Sequence, residues 1–111
     1  MSWSKQLETV QSGMMDFGAA LPAVGEGFNA LHEATTAEGA LSMKHKELQA
    51  LAIGISKQCV DCIGFHVKAA MEAGATRAEI AETVGVAILM GGGPAYMYGI
   101  KALDAYDEMA G

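Results

Sequence analysis

The chain has 111 residues and a formal charge of −6, from seven Lys and Arg against thirteen Asp and Glu. That charge argues against nucleic acid and anionic membrane surfaces as partners. Apolar residues make up 51% and aromatics only 6%, more apolar side chain than one small core buries, so a subunit interface is the expected home for the rest.

The length predicts one domain over residues 1–111. No continuous apolar run reaches the roughly 18 residues of a membrane span, and the start of the chain, with Lys5 and Glu8, does not resemble a signal peptide. The expected compartment is the cytoplasm, where structural disulfides are rare.

In chain order, every element reads as helix, and strand alternation and hairpin turn signals are missing. A first helix covers about residues 4–17 and gives way at Pro22, which lacks an N–H and restricts its predecessor. A second covers about 23–34, with Val24, Phe28 and Leu31 on one face, and residues 35–40 read as a loop. Ser42 caps a third helix. Its Leu48, Leu51, Ala52 and Ile55 form an apolar stripe that fades near Lys57. A fourth helix begins at Cys59 or Val60 and closes at Gly74. Thr76 and Glu79 spell a capping box for a fifth, which turns Ile80, Val84, Ala87 and Ile88 inward and ends at Gly91-Gly92-Gly93. Pro94 suits the first turn of a last helix reaching about Met109. The expectation is an all-α fold of about six helices.

The chemistry concentrates between Glu47 and His66. Cys59, Cys62 and His66 stand at i, i+3 and i+7, within about 60° of one helix face. Cysteines one turn apart are close enough for a disulfide. Cys59 lies where the helix start stabilises a thiolate, and His66 can exchange a proton near neutral pH. Glu47 lies about 40° from Leu51 and about 20° from Gly54 on its own helical wheel. A carboxylate at the edge of an apolar stripe is partly desolvated, which suits proton transfer. Gly54 leaves room for another helix. If that helix carries the cysteines, all four groups share a pocket.

Other readings stand beside this one. Cys59, Cys62 and His66 could supply three zinc ligands with His45 or Glu47 as a fourth, although structural zinc cysteines usually sit on turns. His32 and His45 read as surface residues, Tyr96 and Tyr98 as pocket or interface residues, and the methionines as core and interface filler. The triple glycine lacks the strand and Lys-Ser/Thr ending of a phosphate-binding loop.

Glu47, eleven residues, then Cys59-Val60-Asp61-Cys62-Ile63-Gly64-Phe65-His66 resembles the E…CxxCxxxH signature of the carboxymuconolactone decarboxylase superfamily, and within it the alkylhydroperoxidase AhpD-like branch. The Lys46–Ala52 approach, the Gly74-Ala75-Thr76 turn with Glu79-Ile80, and the Gly91–Ala95 junction are similar to that family too, so the likeness covers about residues 28–106. The resemblance implies a homo-oligomer, often a trimer or a hexamer, and no cofactor. It implies a dithiol that reduces hydroperoxides or exchanges disulfides with a thiol or disulfide reductant protein. Carried over, Cys59 and Cys62 are the redox pair, and Glu47 and His66 the proton relay. Cys62 is favoured as the attacking thiol and Cys59 as the partner that meets the reductant. The superfamily's lactone decarboxylation does not use a CxxC pair, so the cysteines argue against it. An oligomeric metal-binding or redox-sensing module is the reading outside enzymes. AhpD carries an aromatic residue where this chain has Asp61, and a second, degenerate copy of the domain that this chain lacks.

Overall fold

A computed structural model describes residues 2–111, and all regular structure among them is helical. Helix α1 spans Trp3–Ala20, α2 Pro22–Thr36, α3 Met43–Ser56, α4 Val60–Glu72 and α5 Arg77–Ala110. The boundary signals act as the residue types require. Ser42 accepts a hydrogen bond from the His45 N–H at 3.1 Å. The capping box closes in both directions, from Glu79 N–H to Thr76 Oγ1 at 3.2 Å and from Thr76 N–H to Glu79 Oε1 at 2.8 Å. Gly74 follows α4 with φ of +96°, a conformation that favours glycine at a helix end. Pro22 starts α2, which runs two residues beyond the expected Ala34.

The expected break at the triple glycine is present. Gly92 (φ 68°, ψ −150°) interrupts α5 and turns its second half back along the first. Arg77, at the start of α5, thereby reaches Asp107, near its end, through contacts of 2.8 and 3.1 Å. A straight helix of 34 residues would instead separate its ends by about 50 Å. The five helices therefore hold six straight segments. An 18-residue window of α5 averages a hydropathy of 1.2, so length and composition alone would suit a membrane span. The fold breaks that helix at Gly92 and packs it against α3 and α4.

Leu51 and Ile55 of α3, Ile63 and Val67 of α4, and Ile80 of α5 are fully buried at the centre. Each such side chain contributes about 1.5–3 kcal/mol relative to exposure. The α3 stripe is split: Leu48 and Ala52 are only half-buried at the edge of this core. Helix α1 joins through Trp3 and Leu7, which lie over Gly64 of α4. Beyond them the α1–α2 hairpin stands away from the core. Val24, Phe28 and Leu31, which share one face of α2, remain more than half exposed, and α2 buries no residue in a single chain.

Candidate functional site

The site lies where α3 crosses α4. Gly54 makes the close approach possible: a Cβ there would stand 3.2 Å from the Cys62 Cβ. The connection is short. Lys57 ends α3, Gln58 takes a left-handed φ of +56°, and the Cys59 N–H donates to the Gly54 carbonyl at 3.1 Å. A left-handed residue with a side chain costs about 1–2 kcal/mol, and here it aims Cys59 at the α4 N-terminus. Cys59 is the N-cap itself, its Sγ accepting from the Cys62 N–H at 3.2 Å.

Cys59 and Cys62 are joined by a disulfide with a Cα–Cα separation of 5.2 Å, within the ordinary range. Both residues are half-buried, so exposure does not single out one as the partner for a reductant. His66 follows Cys62 by one turn on the same helix, which places neighbouring side chains about 5–6 Å apart at Cβ.

Glu47 projects from the first half of α3 and is only 3% exposed, a deeper burial than its place at the edge of the apolar stripe suggests. Its Oε1 lies 2.7 Å from His66 Nδ1. With Glu47 ionised, Nδ1–H is the donor and His66 Nε2 is left free to take up or deliver a proton. The fold thus brings Glu47 and His66 into contact, with the sulfur pair one turn along α4. This arrangement can hold a dithiol or its disulfide, and it can pass a proton along a fixed line through the Glu47–His66 bond.

Two further residues bear on the site. Asp61, in the first turn of α4, accepts from Gln6 Nε2 at 3.0 Å and so ties the cysteine loop to α1. His32 is not the plain surface residue its sequence context suggests: its Nε2 is buried and lies 3.8 Å from Glu47 Oε2. The available signal was its place one turn after Phe28, at the border of the apolar face of α2. His45 and Tyr96 are exposed, while Tyr98 packs beside the core.

Comparison with known proteins gives the family and the fold. The profile of the carboxymuconolactone decarboxylase family matches residues 22–105, three-quarters of the chain. The chain belongs to the carboxymuconolactone decarboxylase family. An uncharacterised protein of Cupriavidus necator is 41% identical over 92 residues, covering 83% of this chain and 81% of its own. A protein encoded in the cox locus of Paracoccus denitrificans is 40% identical over 89 residues, covering 80% of each chain. Among solved structures, a carboxymuconolactone decarboxylase family protein from Legionella pneumophila superposes with a TM-score of 0.95 at 40% identity, covering 98% of this chain and 97% of its own. A family protein from Thermotoga maritima, described as a candidate for an antioxidative response, shares the fold with a TM-score of 0.84 at 24% identity, covering 95% and 90%. Over 98% of its length the fold of this carboxymuconolactone decarboxylase family member is that of the Legionella pneumophila protein.

Proposed function

We propose that this protein is a dithiol peroxidase of the AhpD-like kind, an oxidoreductase that reduces hydroperoxides by cycling between a Cys59–Cys62 dithiol and disulfide. The observation that carries this reading is the disulfide at the start of α4, one turn from an imidazole bonded to a buried carboxylate.

The reduced pair starts the cycle. Cys62 gives up its proton to the His66–Glu47 pair, and its thiolate attacks the terminal peroxide oxygen. The O–O bond breaks, the alkoxide takes a proton and leaves as the alcohol, and Cys62 becomes a sulfenic acid. The Cys59 thiolate attacks the Cys62 sulfur, the S–O bond breaks, and water leaves with a proton from the relay. Two electrons have passed from the dithiol to the peroxide. An external dithiol of the reductant-protein class returns them: its first thiolate attacks Cys59 and Cys62 leaves as a thiolate, then its second thiolate attacks the first reductant sulfur in the mixed disulfide, Cys59 leaves, and the reductant ends as a disulfide. The chain works in the cytoplasm as a homotrimer or homohexamer whose contacts cover the exposed Val24–Leu31 face, a state that sedimentation reads directly.

The test is single-turnover oxidation of the reduced protein by several hydroperoxides, followed by thiol titration. Two thiols per chain are expected to disappear and to return with dithiothreitol. Cys59→Ser is expected to trap a sulfenate on Cys62. A sulfenate found only in Cys62→Ser reverses the two cysteine roles. Peroxide loss no faster than with the Cys59→Ser/Cys62→Ser double variant refutes the function.

A further inference from the structure

Each oxygen of Glu47 faces a different imidazole. Oε1 bonds to His66 Nδ1 at 2.7 Å, and Oε2 looks toward His32 Nε2 at 3.8 Å. The two rings have centroids 6.4 Å apart, with the carboxylate reaching both. The 3.8 Å separation exceeds a hydrogen bond, and a small rotation of either side chain closes it. His32 Nε2 has no partner of its own despite being buried, and buried polar atoms ordinarily have one. The charged group nearest to it is Glu47 Oε2, at 3.8 Å.

Exposure gives this geometry a direction. The Glu47 side chain is 4% exposed, that of His66 20%, and that of His32 38%. A relay that turns over must trade protons with water, and Glu47 has almost no surface through which to do so. His32 has both an exposed flank and a buried nitrogen facing the carboxylate.

We propose that His32 is the solvent end of the relay, exchanging protons between bulk water and Glu47, so that the path runs from water through His32, Glu47 and His66 to Cys62. This rests on the dithiol–disulfide cycle proposed above and adds a third protonic group to it, from a different helix. His32 acts through Glu47 and touches no reacting atom. When an external thiolate attacks the disulfide, one cysteine leaves as a thiolate. His66 protonates it, Glu47 restores the proton to His66, His32 restores Glu47, and water restores His32. During oxidation of the dithiol the cysteine proton travels the other way.

The test uses the full chain with His32→Ala and His32→Gln. Two single-turnover rates are measured: oxidation of the dithiol by cumene hydroperoxide, and reduction of the disulfide by dithiothreitol. Both are expected to fall about tenfold in each variant, less than the ~10²–10⁴ of a group in direct proton contact with the reacting atoms. Gln fills the space of the imidazole but cannot shuttle a proton, so the same loss in both variants separates proton exchange from packing. Free imidazole is expected to restore His32→Ala in proportion to its concentration, beyond any effect on the unaltered protein, and to leave Glu47→Gln/His32→Ala slow. Unaltered rates in His32→Gln overturn the proposal. So does a folded His32→Ala, by circular dichroism, that stays slow in imidazole. A native protein inert to peroxide but reducible by dithiothreitol would end the peroxidase reading, and the reduction rates alone would then judge His32.

Discussion

Replacing Glu47 with Gln should separate stability from activity. The Glu47 side chain is buried, yet it makes one hydrogen bond, to His66, and its second oxygen has only the 3.8 Å approach of His32. Placing a carboxylate in such a site costs several kcal/mol in lost hydration. A charge-assisted hydrogen bond returns about 1.5–3 kcal/mol. Gln has nearly the same shape, and its carbonyl can still accept from His66 Nδ1–H, keeping about 1 kcal/mol of that bond. His66 is partly exposed, so its ring keeps access to water when the carboxylate is replaced. The balance predicts a variant equal to or up to about 2 kcal/mol more stable than the native chain. The relay loses its carboxylate, so dithiol oxidation should slow by about 10²-fold or more. Urea titration of the disulfide form, followed by emission of Trp3, the chain's one tryptophan, measures the first; a single peroxide turnover measures the second. A variant that is clearly less stable and still reacts at the native rate would make Glu47 a structural carboxylate and refute the reasoning.

Gly64→Ala should destabilise by up to about 2 kcal/mol. The new Cβ would meet Trp3 Cε3 at 2.9 Å and Leu7 Cδ2 at 3.3 Å, while Trp3 is tethered by its 2.7 Å bond to Asp104. Overpacking of this kind costs about 1–3 kcal/mol, less about 1 kcal/mol gained from replacing helical Gly with Ala; thermal unfolding reads the difference. Acid should loosen the ends of the helices first. The Lys44 ammonium and the Thr76 N–H hold Glu79 below its ordinary 4.5. The Arg77 guanidinium does the same for Asp107 relative to 3.8, and the Trp3 and Ser4 N–H groups do so for Glu108 relative to 4.5. A depressed folded value gives stability that is present above the unfolded value and lost as pH falls through the folded one. Melting temperature should therefore hold above those values and decline below them, with Glu108→Gln flattening part of the fall; a profile unchanged by that substitution would count against the cap.

Local signals carried most of the element order. Ser42, the Thr76–Glu79 box, Gly74 and the glycine run each act within one turn of chain, so their residue types state the outcome. Gly54 was legible for the same reason, since a bare position beside an apolar stripe marks a close helix approach. The burial of Glu47 and the approach of His32 were not. Both depend on how α2 and α3 come to lie together, and nothing local to α2 fixes that: its apolar face meets solvent in the single chain.

The placement of α2 bears on the site. Helix α2 is anchored at the Leu21 junction and where Gly25 passes Gly18 of α1, a Cβ at Gly25 standing 3.1 Å from the Gly18 Cα. These contacts set its direction but bury none of its side chains. Yet α2 carries the imidazole that faces Glu47 Oε2. Helix α2, with no buried side chain, is packed more loosely than the α3–α4 crossing, whose Leu51, Ile55, Ile63 and Val67 are fully enclosed. The Glu47–His66 bond therefore belongs to the enclosed core, whereas the His32 approach belongs to the exposed hairpin. Covering Val24, Phe28 and Leu31 with a second copy would fix α2 and, with it, the 3.8 Å gap. In that arrangement assembly would govern the solvent end of the proposed relay while leaving its inner end unchanged.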